Sequence, residues 1–503
     1  MNSSVSKASR RLFLQQASAL SVLGPASPLA LCLSGASAMA ETQASDYKAL
    51  VCIFLYGGND AFNTVLPTDA PSWANYTAVR NQQPESIALL RNVAADKSSA
   101  RGSPAWLGGV LPLPAAASQG GRSFALHPAM ADAQGLFNNA RKLAIVANVG
   151  PLAEPISKAD YLQGLKQKPR KLFSHNDQQS TWMAMAPEGA TIGWGGRMAD
   201  AMASSNGNSL FSAISTNGQT VWASGQSTKI YQVSPTGPIR LGTEPDAQGV
   251  ARAYGSANIG AALESIVTRS RGGHLMAQDL ADLGARSIRA ERALSAALPT
   301  AGPSTPLMYE TIGGGMMLNP LAQQLQTVAR MVATQAALGM KRQVFFVGLS
   351  GFDTHNNQNR THAEMLSRLS HGLKFFDTTL ASMGMSDQVT TFTASDFGRS
   401  FTSNGDGTDH GWGGHHMVMG GAVRGGDIYG SFPQLAKKNA YNNDFDDSPD
   451  QLTNGVLLPG VSIDQYAATM GRWFGLSGTQ LNDVFPNLKR FNTRTDLGFM
   501  QPT

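Results

Sequence analysis

The chain has 503 residues, 53 glycines, 15% charged residues and a formal net charge of +5. A leader bearing Lys7, Arg10 and Arg11 and no acidic residue accounts for three of those charges, and its removal leaves +2. That balance excludes a nucleic-acid footprint, and the length allows one large α/β domain with insertions or two domains.

The leader comes first. Ser9-Arg10-Arg11-Leu12-Phe13-Leu14 matches the twin-arginine export pattern, a weakly apolar run covers residues 17–33, and Ala38-Met39-Ala40 offers a small-x-small cleavage site before Glu41. This three-part signal predicts residues 1–40 as a signal peptide and 41–503 as the mature chain. The twin-arginine translocase is then a partner during export, and the mature protein is periplasmic or secreted. Of the two cysteines, Cys32 leaves with the leader and Cys52 lies in an apolar run, so no intramolecular disulfide forms. No later run is long and apolar enough to span a bilayer.

Four apolar runs then read as strands: 49–56 (ALVCIFLY), 143–149 (LAIVANV), 343–349 (QVFFVGL) and 388–394 (QVTTFTA). Most lack alternation, as expected of strands covered on both faces. Helical spacing over 321–341 leads into the third run, and 362–383 bridges the third and fourth, which makes a βαβ unit with a parallel sheet. Residues 205–320 read as an insertion or cap: short strands and loops over 208–245, helix over 258–298 broken at Gly272-Gly273, and loop over 302–320. An acidic polar loop follows at 430–460, and a helix capped by Ser462 runs to 474.

The chemistry gathers where the strands end. Gly57-Gly58-Asn59-Asp60 follows the first, Gly351-Phe352-Asp353-Thr354-His355 the third and Ser395-Asp396-Phe397-Gly398-Arg399 the fourth. Open α/β sheets place their sites beyond the carboxyl ends of the strands, and neighbouring parallel strands lie about 4.8 Å apart. Three aspartates can therefore share one rim, where they repel one another unless cations balance them. With His355, His410 and His415 nearby, Asp60, Asp353 and Asp396 form a candidate site for a divalent ion such as zinc, manganese, calcium or magnesium. His416 begins a further apolar run, so His415 and His416 point to opposite faces and at most one serves. Loop-capping aspartates and hydrogen-bonded histidines are the plainer alternative. The stretch SHNDQQST, 174–181, offers His175 as base or ligand and Ser180, Thr181 or Ser174 as nucleophile, or else a capped helix start. His127 lines the site or caps a short helix, and His274, His362 and His371 lie on helical stretches. GLSGF at 348–352 departs from G-x-S-x-G, which argues against a serine esterase built on Ser350.

These segments together resemble the exported bacterial domain-of-unknown-function family 1501. The resemblance rests on the leader, FLYGGNDAFNTVLP (54–67), ALHPAM (125–130), SHNDQQSTW (174–182), GWGGR (193–197), GFDTHNNQ (351–358) and SDFGRSFTSNGDGTDHGWGGHHMVMGGAVRGGDIYG (395–430). That family looks like a branch of the alkaline phosphatase and sulfatase superfamily. The resemblance implies a doubly wound, mostly parallel sheet flanked by helices, with an inserted α+β cap and a metal-centred hydrolytic site. Asp60 is similar to the superfamily's first aspartate, Asp353 with His355 resembles its Asp…His pair, and Asp396 resembles the aspartate of its Asp-His dipeptide. Phe397 stands where that dipeptide's ligand is expected, and His410 or His415 is the substitute. The expectation is a periplasmic hydrolase of small phosphate or sulfate esters, with Arg399 or Arg197 steadying the anion. Its rival is a non-catalytic protein of the same fold acting in binding or assembly in the cell envelope.

Overall fold

The computed structural model describes residues 46–114, 117–238, 244–245, 251–269, 274–298, 307–491 and 495–502. The twin-arginine leader, the break at Gly272-Gly273 and part of the 302–320 loop lie outside the described residues.

The apolar runs become strands of one sheet. In chain order the strands used below are β1 (Lys48–Tyr56), β2 (Leu143–Gly150), β3 (Ala213–Ser215), β4 (Tyr231–Ser234), β5 (Arg342–Ser350), β6 (Val389–Ser395), β7 (Arg399–Ser403), β8 (Thr408–His410), β9 (Gly414–Met419) and β10 (Ile428–Tyr429). The sheet runs β10-β2-β9-β6-β1-β5-β3-β4, extended by Gly237–Pro238 beyond β4, while Val461–Ser462 also pairs with β2. All pairings along it are parallel except those of β9 and of Gly237–Pro238. β7 and β8 form a separate antiparallel hairpin above the sheet's end.

The missing alternation in the strand sequences has a direct cause. Along β1, Ala49, Val51, Ile53 and Leu55 enter one core, and Leu50, Cys52 and Phe54 enter another on the opposite face. Helices α2 (Ala131–Asn138), α7 (Pro320–Ala333) and α8 (Gln358–Ser382) cover the first face. Helices α4 (Trp194–Ala201) and α9 (Ile463–Phe474) cover the second. The remaining helices used below are α1 (Ala70–Arg80), α3 (His175–Ala184), α5 (Ala257–Thr268) and α6 (Leu275–Ala297). Asn319 starts α7 by accepting from the amides of Leu321 and Ala322. The helix stops at Ala333, short of the expected 341, and a turn with Gly339 at φ +66° leads into β5.

Residues 205–320 are not all insertion. β3 and β4 complete the sheet beside β5, and only then do α5, α6 and the hairpin Met308–Glu310/Met316–Leu318 follow. Among the described residues no helix is long and apolar enough to cross a membrane.

Candidate metal centre

Register brings the strand tips level. Tyr56 pairs with Ser350, and Leu55 with Ser395, so the loops after β1, β5 and β6 leave the sheet at one height. Two glycines let them stack. Gly57 sits at φ +112°, and a Cβ on it would lie 2.3 Å from the Asp353 amide nitrogen; one on Gly58, at φ +88°, would lie 2.5 Å from the Phe397 ring.

At this rim His175, Asp353 and His410 present ligand atoms within 4.8 Å of one another. His175 comes from the start of α3, Asp353 from the β5 loop and His410 from the end of the β7–β8 hairpin. His355 joins them, its Nε2 lying 3.0 Å from His410 Nε2 and 3.2 Å from Asp353 Oδ1. His410 Nε2 is 3.4 Å from that same oxygen, and His175 Nε2 is 3.5 Å from Asp353 Oδ2. The four side chains are partly exposed, so the centre opens to solvent.

Hydrogen bonds fix two tautomers. His175 Nδ1 donates to Asp396 Oδ2 at 2.7 Å, and His410 Nδ1 donates to the Phe173 carbonyl at 2.7 Å. Each bond leaves the Nε2 lone pair facing Asp353. This is the arrangement by which outer groups orient metal-binding imidazoles. Asp396 is fully buried and also accepts from Gln179 Nε2 at 2.9 Å. Its other oxygen, Oδ1, has no hydrogen-bond partner among the described residues. The hydrogen bond from His175 to Asp396 holds the His175 pKa above its usual value against the opposing effect of burial. Burial pushes His410 down. For Asp353, burial acts to raise the pKa, but the Arg399 hydrogen bond and charge outweigh it and hold the carboxyl below its usual value.

The donor set fits a cation. An ion bound tetrahedrally at 2.0–2.1 Å has ligand–ligand edges of about 3.3–3.4 Å. Four of the separations, 3.0–3.5 Å, fall near that scale, while the triad as a whole lies within 4.8 Å. Imidazole nitrogens with one carboxylate suit zinc or manganese better than calcium or magnesium, which prefer oxygen.

Several expected site residues lie elsewhere. Asp60 is fully buried and taken up by Arg80, whose Nη1 and Nη2 donate at 2.5 and 3.0 Å; Gln358 Nε2 and the Phe62 amide donate as well. Burial alone would raise the Asp60 pKa, but the Arg80 charge outweighs it and the carboxyl stays below its usual value. Asp60 thus supports the site from behind, through Gln358 and Thr408 to Arg399. His415 is buried against Phe432, and its Nδ1 accepts from the Asn148 amide at 3.1 Å, so it faces away from the cluster; burial pushes its pKa to about 3. His416 packs on Trp182 on the other face. The Ser180 hydroxyl donates to the Pro187 carbonyl at 2.9 Å, Thr181 to the Asp177 carbonyl and Ser174 to the Asp177 carboxylate. Among the described residues no serine or threonine hydroxyl bonds to His175, His355 or His410, so none is placed as a nucleophile. Arg399 is buried; it engages Asp353 at 2.6 Å, Gly57 O, Thr408 Oγ1 and Thr408 O, and positions the hairpin rather than gripping an outside anion. Arg197 donates to the Ala184 carbonyl, and His127 is buried with Nδ1 accepting from Ala129.

Gln179, Phe173, Arg80 and Gln358 escaped the sequence reading. Gln179 had a usable signal, since it stands four residues after His175 on one helix face. The Phe173 contribution is a backbone carbonyl, which has no side-chain signature.

Residues 47–485 match a family profile described as "Protein of unknown function (DUF1501)". No curated protein matches the chain. Among solved structures it is similar to Ps i-CgsB in complex with k-i-k-neocarrahexaose, at 8% identity and TM-score 0.32, over 89% of this chain and 77% of that one. It is also similar to a structure from the metabolism of multiple glycosaminoglycans by Bacteroides thetaiotaomicron, at 9% identity and TM-score 0.32, over 88% and 74%. Likeness at this level fixes neither fold nor activity.

Proposed function

The chain belongs to the DUF1501 family, and we propose that it is an exported, metal-dependent hydrolase of phosphate or sulfate esters on an alkaline phosphatase-like sheet. The observation that supports this reading is the convergence of His175, Asp353 and His410 within 4.8 Å at the strand tips. These three residues would hold the cation, and His355 would complete the donor set. When bound, a divalent cation polarises the ester oxygen and makes water a better nucleophile. The chain's own groups prepare the place. Asp396 and the Phe173 carbonyl keep the two imidazoles turned inward. Arg399 keeps Asp353 ionised. Phe397, with its ring 4.9 Å from His175 and 4.6 Å from His410, gives the site an apolar floor.

A second reading, a metal-free envelope protein acting in binding, is favoured by one observation: Arg80 and Arg399 already balance Asp60 and Asp353. Turnover of phosphate and sulfate monoesters with zinc, manganese, calcium or magnesium separates the two. The hydrolase reading expects metal-dependent hydrolysis that His410→Ala abolishes; no turnover with any of the four ions favours the second. Export by the twin-arginine route is part of the proposal, and replacing Arg10 and Arg11 by lysine should strand the chain in the cytoplasm.

A further inference from the structure

Among the described residues, most of the large apolar side chains left exposed lie between residues 254 and 318. Helix α6 shows why. Its C-terminal half is anchored: Ala290 and Leu294 are buried in the main core. At about 100° per residue, Met276, Leu280 and Leu283 continue the Leu294 stripe along the N-terminal half. There they are 76%, 67% and 52% exposed. The core-facing stripe therefore runs off the body of the protein.

Packing fixes which flanks of this overhang are free. A Cβ on Gly284 would lie 2.6 Å from Val267 Cγ1, so one flank is closed by α5. The other flank carries Asp279, Asp282, Arg286 and Arg289 in that order, all exposed. None of the four makes an ion pair among the described residues, whereas Arg292 pairs with Glu264 at 2.6 Å. Acids towards the start and arginines towards the end, on one flank of an apolar stripe, form a self-complementary pattern. In an antiparallel pair of identical helices the same flank of each copy meets the other.

We propose that two copies of this chain associate through the overhanging half of α6, as an antiparallel two-fold helix pair. A pairing centred between Asp282 and Leu283 overlaps residues 276–289 and stops where Ala290 meets the body. It sets Asp279 opposite the partner's Arg286 and Asp282 within one turn of it. Met276, Leu280 and Leu283 fill the seam.

Light scattering on the purified full chain over a dilution series tests this, with circular dichroism checking the fold of each variant. The wild type should have twice the chain mass, dissociating on dilution. Leu280→Glu should be monomeric. Asp279→Arg alone should weaken association at least tenfold, and adding Arg286→Asp should restore it. A wild type that is monomeric throughout, a dimer indifferent to Leu280→Glu, or a charge-reversed pair that fails to recover overturns the proposal. So does binding of the monomer to phosphatidylglycerol vesicles that Leu280→Glu abolishes, since the stripe then serves a lipid surface.

Discussion

Asp396→Asn is the sharpest single change to the site. Asn keeps the size of the side chain, which has no exposed surface, and removes the charge from a 2.7 Å hydrogen bond that fixes the His175 ring. Loss of such an outer partner costs about 10–100-fold in metal affinity, or roughly 1.4–2.7 kcal/mol. The Asn oxygen can still accept from Nδ1, which places the expected loss towards the lower end. The same change lets the His175 pKa fall, because that hydrogen bond is the main cause of its elevation. Protons then compete less for Nε2 in the variant, so the deficit should be larger at pH 8 than at pH 6. Competition for zinc against a chromophoric chelator at both pH values measures it. Ser180→Ala is the control, since its hydroxyl is occupied at Pro187. Asp396→Asn binding within twofold of wild type, or Ser180→Ala as damaging, would show that Asp396 does not orient His175 for metal.

Other outcomes follow from the same geometry. Asp60→Ala leaves the Arg80 guanidinium buried without its counter-ion and should destabilise the fold by about 3–5 kcal/mol in urea denaturation; a loss below about 1 kcal/mol contradicts a buried ion pair. Metal affinity should rise with pH through the His175 pKa, which lies above its usual value, and fall about tenfold per pH unit below it; a flat profile from pH 5 to 8 counts against His175 as a ligand. In the metal-free protein the sign reverses. The raised His175 pKa stabilises the fold below about pH 6.5, the unfolded value, and that gain fades as pH rises through the folded value. Burial pushes Asp464 up to about 6, which penalises the folded state at neutral pH. Asp464→Asn should therefore raise the melting temperature, with the gain appearing above pH 4 and complete above pH 6; an equal gain at pH 3 would contradict this.

The long strands were legible because burial on both faces leaves uninterrupted apolar runs. β3 and β4 were not, since strands of three and four residues carry no period to read. Asp353, His355 and Asp396 could be placed at one rim because parallel register puts residues after strand ends together. The choice between His410 and His415 depends on the β7–β8 hairpin, which pairs Arg399 with His410 and carries the imidazole back over the tips. His415 falls inside β9, where both faces are covered. Asp60 misled for a different reason: its counter-ion is Arg80, 20 residues on at the end of α1, and nothing local announces the pairing. Phe397 reads in sequence as a lost ligand; in three dimensions it is packing beneath two imidazoles.

The proposed function stands on a metal ion held by His175, Asp353 and His410. Elemental analysis of the folded chain after incubation with zinc and removal of excess tests it most directly, with His175→Ala and His410→Ala beside the wild type. About one equivalent per wild-type chain is expected, with a large loss in both variants. A wild type without metal, or variants that retain it in full, would contradict it.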